Sequence, residues 1–218
     1  GRHDGPAGTV EDSLAALGDA NGTDLMHWLA WYAQAGTPEL AAHGRHDAQQ
    51  RCYELRLEQS TPPTPGQPHK QALPIPVALA LLDAEGRELP LRLEGEAGTA
   101  PTQRTLLLDA PAAGWRFVEV DEPPVLSLLR GSSAPVRLLH DAGADALATL
   151  ARHDHDGFNR WFAADTLARR LFAQALAGAP DAGEVAAWTG AVGAALDDAT
   201  LDPALVAELL TIADAGAL

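Results

Sequence analysis

Four prolines, Pro62, Pro63, Pro65 and Pro68, stand between two strand-like runs, and they restrict this chain more than any other feature. Each fixes its own φ and lacks an N–H, so the stretch favours an extended, solvated crossover over helix or central strand. The run before it, Tyr53-Glu-Leu-Arg-Leu-Glu58, alternates apolar and polar residues, as a strand with one buried face does. The run after it, Ile75 to Leu82, is almost continuously apolar and predicts a more deeply buried strand. The Asp83-Ala-Glu-Gly86 turn follows, and Leu89 to Leu93 opens a third strand.

Four further strand-like runs lie downstream: Arg104 to Leu108, Trp115 to Val120, Val125 to Leu129 and Val136 to Leu139. Gly95, Gly98, Pro111, Gly114, Pro123-Pro124 and Gly131-Ser132-Ser133 separate them. Short strands spaced by such turn residues predict an immunoglobulin-like β-sandwich over residues 37–141. Pro74, Pro76 and Pro135 belong at strand starts or edges, where a missing N–H costs nothing.

Helical patterns flank this zone. Over residues 1–36, Thr9 with Asp12 makes a capping-box-like start, and Val10, Leu14 and Leu17 share one face. Thr23 or Asp24 caps a second helix carrying Leu25, Trp28, Leu29 and Tyr32, and Gly36 and Pro38 stop it. Over residues 142–218, Asp156 is an N-cap for a long helix bearing Phe158, Trp161, Phe162, Leu167 and Leu171. Asp181 with Glu184 opens another, with Val185, Trp188, Val192 and Leu196 on one stripe, and Asp202-Pro203 opens a third through Leu205, Leu209 and Ile212. The fold class is therefore α+β in several parts: a short helical segment, a β-sandwich, and a solenoid-like helical domain. That last domain ends at Leu218 without the polar cap a repeat array needs, so it is expected to be truncated, with exposed apolar stripes.

Composition closes off several function classes. The formal charge of −15, with Lys70 the single lysine, repels phosphate backbones and disfavours nucleic acid as a partner. No apolar stretch approaches the ~20 residues of a membrane helix. Cys52 is alone, so no internal disulfide forms, and beside Tyr53 it reads as a small half-buried hydrophobe in a reducing compartment. Aromatic residues are few at 5%, and abundant alanine points to small-residue helix packing.

The Tyr53 to Gly86 stretch closely resembles the junction strands of the bacterial aminopeptidase N family of zinc peptidases. The likeness extends in order through Arg2-His-Asp-Gly5, Asp24-Leu25, Trp31-Tyr32, Gly36-Thr37-Pro38, Ser133-Ala-Pro-Val136, Phe158-Asn-Arg-Trp161 and Asp202-Pro-Ala-Leu205. It is weakest over Glu39 to Arg51 and Gly95 to Gly114, which are loop-like in composition. The resemblance implies that residues 1–36 are the helical tail of a catalytic domain, 37–141 a β-sandwich beside it, and 142–218 the start of a C-terminal α-helical domain. It further implies a cytoplasmic parent that uses zinc and removes N-terminal residues from peptides, with the other domains of the same polypeptide as this chain's partners. Its chemistry would need a His-Glu-x-x-His helix and a Gly-x-Met-Glu-Asn strand. Here no histidine precedes a glutamate, and the one methionine, Met26, precedes His27. No catalytic, cofactor-binding or metal residue is therefore carried over, and no zinc is expected in this segment.

Several constellations merit weighing beside that resemblance. His153-Asp-His-Asp156 is the best metal candidate, but two histidines at i and i+2 point apart at a helix start, where Asp156 serves better as a cap. His43, His46 and Asp47 read as an exposed loop ahead of the first strand. Gly131-Ser132-Ser133 lacks the Gly-x-Ser-x-Gly frame of a nucleophile elbow and reads as a turn. The prolines from 62 to 68 can serve a polyproline-binding partner, and Trp161 and Trp188 can line a ligand pocket; crossover and core packing account for them more simply. The expectation is a non-catalytic scaffold. Its competitors are a stand-alone protein- or glycan-binding sandwich and a hydrolase built on His153, Asp154 and His155.

Overall fold

The computed structural model describes residues 8–211. A helix α1 (Val10–Asn21) leads through a short 3-10 turn (Met26–Leu29) and a single helical turn α2 (Ala30–Ala33) into eight strands. These are β1 (Glu39–Asp47), β2 (Cys52–Ser60), β3 (Ile75–Leu82), β4 (Arg92–Leu93), β5 (Arg104–Leu108), β6 (Ala112–Val118), β7 (Val125–Leu128) and β8 (Arg137–Leu139). Four helices follow among the described residues: α3 (Ala144–His153), α4 (Gly157–Leu176), α5 (Ala182–Asp197) and α6 (Pro203–Leu210).

The strands form a sandwich. One sheet has the order β4-β6-β2-β1-β8 and the other β5-β3-β7, and every pairing is antiparallel except β1 with β8. Side chains alternate across each strand, so Leu40, Leu55, Leu57 and Phe117 of one sheet meet Ile75, Val77, Leu79, Leu81 and Leu108 of the other in a dry core. On the outer face of the larger sheet, Arg45, Glu54 and Arg116 align in register, with Glu94 beside Arg116, as an alternating ladder of charge.

β3 is buried on both faces, which explains its unbroken apolar run. Its odd-numbered residues fill the sandwich, while Ala80 and Leu82 face the helices and pack with Leu147, Ala148, Ala151 and Leu167. Pro76 lies in this central strand yet disrupts nothing. Ala78 N–H, on the same side of β3, donates to Ser133 Oγ at 3.0 Å because β7 pairs only with Leu79 to Leu82. The donor that Pro76 lacks therefore points where no neighbouring strand waits.

Three local expectations need correction. Glu39 to Arg51 is not a loop: β1 fills most of it and lies inside the larger sheet, with Leu40 fully buried and His43 on the outer surface. Its sequence, Glu-Leu-Ala-Ala-His-Gly-Arg-His-Asp, lacks β-branched and aromatic residues, so only pairing with β2 and β8 makes it a strand. The third strand shrinks to Arg92–Leu93 because Pro90 removes a ladder donor; Leu89 and Leu91 bond instead to Leu81 O and Pro101 O at 2.8 and 2.7 Å. The predicted second helix breaks into the 3-10 turn and α2, leaving Tyr32 73% exposed. Trp31, off the predicted stripe, is the residue that docks on the sandwich, donating from Nε1 to Pro74 O at 2.8 Å.

Four of the caps read from sequence form as expected; the fifth does not, since the 3-10 turn has Leu25 at its N-cap with no side-chain cap bond, and Asp24 Oδ1 only accepts from Met26 N at 2.9 Å. Thr9 and Asp12 exchange both bonds of a capping box, and Asp156, Asp181 and Asp202 each accept a first-turn N–H of α4, α5 and α6. Small residues bring the helices together: Ala148, Ala151, Ala163, Ala164, Ala187, Ala191 and Ala195 are all buried. Ile212 lies outside the described residues, as does the stretch from Arg2 to Gly5.

Candidate functional site: a buried ionic junction

The densest polar chemistry lies where sandwich meets helices. After β7 the chain turns through Leu129, Gly131 and Ser132, all with left-handed φ between 52° and 62°. This bend, costly for the two non-glycine residues, drives Arg130 inward. Its Nε donates to Ser127 Oγ at 2.8 Å, its Nη2 to Asp154 Oδ1 at 2.7 Å, and its Nη1 to Glu88 Oε1. The Asp154 side chain is 0% exposed and that of Arg130 5%, so the pair is fully enclosed.

Nearly every polar atom around this pair is used. Ser127 Oγ donates to Asp154 Oδ2 at 2.5 Å and accepts from Arg130 and, at 2.9 Å, from Asn159 Nδ2. Asn159 Nδ2 also reaches Leu128 O at 3.0 Å. Asp154 Oδ1 takes a second bond from Asp156 N at 2.9 Å. Asp156 caps α4 with Oδ1 and with Oδ2 accepts from Gly131 N at 2.7 Å. The α3–α4 connection and the turn after β7 are thus tied by side chains from both units. A buried charge pair persists only when satisfied in this way.

The electrostatics follow. Burial pushes the Glu88 carboxyl up, but hydrogen bonds from Arg130 and Thr102 and the charges of Arg130 and His155 outweigh it, leaving Glu88 below the usual glutamate range. Burial, with Arg152 and Arg160 nearby, pushes His153 down against the pull of Asp83. Burial likewise lowers the Arg160 guanidinium, while Asp198 and Asp154 oppose that shift. Gly86 completes the seam: at φ +83° it turns the chain after β3, and a Cβ there would lie 2.1 Å from His153 Cβ.

The sequence candidates are therefore dispersed among separate structural jobs. His153 packs against Gly86, Asp154 holds Arg130, His155 Nδ1 lies 3.1 Å from Glu88 Oε1, and Asp156 caps α4. Ser133 serves the edge of β3. Trp161 and Trp188 are half-buried against the helical core. His46 Nε2 bonds Val120 O at 2.9 Å, whereas His43 faces solvent on β1. Cys52 is fully buried rather than half-buried. Arg130, Glu88 and Ser127 carry no mark in the sequence; an arginine between an apolar run and a Gly-Ser-Ser turn reads as a surface residue.

Comparison with known proteins bears on what such a junction serves. Residues 36–141 match the family described as a Domain of unknown function (DUF3458) with an Ig-like fold, and residues 144–218 match its C-terminal companion, described as ARM repeats. Aminopeptidase N of Escherichia coli K12 is 37% identical over 215 residues, covering 97% of this chain and 24% of that protein. Aminopeptidase N of Caulobacter vibrioides is 44% identical over 211 residues, covering 97% of this chain and 23% of that protein. The chain belongs to the aminopeptidase N family. Legionella pneumophila aminopeptidase A, crystallised with aspartic acid, superposes with a TM-score of 0.79 at 27% identity, over 97% of this chain and 22% of that one. The chain thus spans about a quarter of the length of these family members and corresponds to their Ig-like and helical scaffold portion.

Zinc, which the family resemblance implies for the whole enzyme, does not fit this portion. Among the described residues no three His, Cys, Asp or Glu side chains converge as a metal ion requires. The carboxylates of the junction are already committed to Arg130 and to backbone donors. No helix among the described residues is long and apolar enough to cross a membrane.

Proposed function

We propose that this chain is the non-catalytic brace of a zinc-dependent aminopeptidase that removes N-terminal residues from peptides in the cytoplasm. Residues 1–36 end the catalytic unit, 37–141 form the spacer, and 142–218 begin the helical domain. The Arg130 junction carries this reading. It welds the end of the sandwich to the first helices through Asp154, Asn159 and Asp156, so that a catalytic unit held by one end keeps a fixed geometry to a helical domain held by the other. Nothing in that network is arranged to attack a bond: its nucleophile-like hydroxyl, Ser127 Oγ, is fully occupied between a carboxylate and two donors.

The test has two parts. The purified chain, supplied with zinc and an aminoacyl chromogenic substrate, is expected to show no hydrolysis and no stoichiometric metal. Its thermal unfolding is expected to be one transition by both near- and far-ultraviolet circular dichroism, because sandwich and helices share one junction. Metal-dependent turnover by the chain, or separate melting of strands and helices, overturns the proposal.

A further inference from the structure

One edge of the larger sheet is only partly covered. β8 pairs with Glu39 to Ala41, whereas β1 runs on to Asp47, and among the described residues no other strand takes up the rest of that edge. Arg137 N donates to Pro38 O at 2.8 Å, and His140 Nδ1 lies 3.2 Å from Ala42 O, so the carbonyls of Pro38 and Ala42 face the β8 side. Backbone groups return to the same edge at every second residue. The N–H and C=O of Gly44 and His46 therefore point to the open side beyond β8. Free donors and acceptors along a sheet edge are a template for another strand.

A side chain without a partner reaches the same place. Tyr53, on the neighbouring β2, is 5% exposed, and its ring lies against Gly44, where a Cβ would sit 1.8 Å from Tyr53 Oη. That hydroxyl makes no hydrogen bond among the described residues, and burial pushes the phenol up to about 12. A buried hydroxyl without an acceptor costs free energy, and an acceptor on an added strand recovers it. The edge is also accessible. A cleft of about 670 Å³ runs along it between Ala42, Gly44, Leu138, Leu139 and His140. Glu54 draws Arg45 back over the sheet at 2.7 Å, clear of the edge. On the outer face, a second cleft of about 420 Å³ at Gly44 is lined by His43, Arg45, Arg56 and Arg116, with Glu54 as its carboxylate. An added strand would thus meet a basic surface on a chain whose formal charge is −15.

We propose that the open edge of β1, from Ala42 to His46, takes an extended peptide with acidic side chains at alternate positions, bound by strand addition. The peptide backbone pairs with Gly44 and His46, its carboxylates lie outward beside His43 and Arg45, and an inward acceptor receives the Tyr53 hydroxyl. Charge on the outer side selects among extended peptides, while the backbone bonds hold any of them in register. This binding role is additional to the brace and does not depend on it.

The probe is a fluorescein-labelled hexapeptide alternating glutamate with threonine, added to the 218-residue chain and followed by anisotropy and amide hydrogen exchange. It is expected to bind saturably, about tenfold more tightly than the same peptide with lysine for glutamate, and its fully N-methylated form is expected not to bind. Exchange at the Gly44 and His46 amides should slow by about tenfold in the complex. Tyr53→Phe, which removes only an unbonded hydroxyl, is expected to weaken binding severalfold and leave the far-ultraviolet spectrum of the free chain unchanged. Absence of binding, equal binding of the lysine peptide, binding without protection of those two amides, or full affinity in Tyr53→Phe overturns the proposal. Protection that rises with chain concentration in the absence of peptide assigns the edge to a second copy, and protection already present in the full polypeptide encoded by the same reading frame assigns it to another segment of that polypeptide; either result overturns the proposal and leaves the brace standing.

Discussion

Replacing Arg130 by methionine removes the cation from the junction while keeping much of its volume. Asp154, with a side chain 0% exposed, would then keep its bonds from Ser127 and Asp156 but lose the charge that balances it. Breaking a buried pair from one side costs roughly 3–5 kcal/mol, because the remaining charge is stranded in a weakly polarisable interior. For a chain of this size that is a loss of about 6–20 °C in melting temperature. Adding Asp154→Asn removes the stranded charge and keeps a hydrogen-bonding side chain, so the double variant is expected to recover roughly 1–3 kcal/mol of the loss. The assay is urea unfolding of wild type, both single variants and the double variant, followed by fluorescence and circular dichroism. A cost below about 1 kcal/mol for Arg130→Met, the range of an exposed pair, or no recovery in the double variant, refutes the account of the junction.

Gly86→Ala is expected to cost roughly 2–5 kcal/mol, combining left-handed strain with overpacking against His153, whereas Gly98→Ala, at φ +90° with nothing within 4 Å, should cost about 1–2 kcal/mol; equal losses in chemical denaturation would remove His153 from the explanation. Glu88, depressed below its ordinary value of 4.5, stabilises the fold above that pH, and this contribution is lost as pH falls through its lower folded value. Glu88→Gln should therefore flatten the acid limb of stability measured from neutral pH to about pH 3, and an unchanged limb contradicts the assignment. Burial pushes the Tyr53 phenol up to about 12. In a Tyr32→Phe variant, which leaves Tyr53 as the single tyrosine, phenolate absorbance should rise only near that pH; a midpoint at the ordinary value of about 10 would show the ring exposed.

The legible parts of this protein are those whose local pattern and final environment agree. β2 is visible because Leu55 and Leu57 point inward while Arg56 points out, and that alternation is a property of any half-buried strand. β3 is visible as an apolar run, although only the structure shows why: helices cover its second face through Ala80 and Leu82. The caps at Thr9, Asp156, Asp181 and Asp202 are visible because a side chain bonding a backbone N–H two or three residues on is a local event.

What the sequence determined by itself is therefore the order of helical, strand and helical zones, the sandwich, the family, and the lack of a histidine-glutamate zinc motif. The tertiary structure alone decided that Ala-Ala-His-Gly is part of a strand inside a sheet, that Trp31 and not Tyr32 docks, and that Arg130, Asp154, Ser127 and Glu88 meet. Hydrophobic periodicity and capping repeat within a few residues, so they are written into neighbouring positions. A buried ion pair joins residues 24 and 42 positions apart and leaves no periodic trace, because its stability comes from the dry enclosure that the packed sheets and helices create around it.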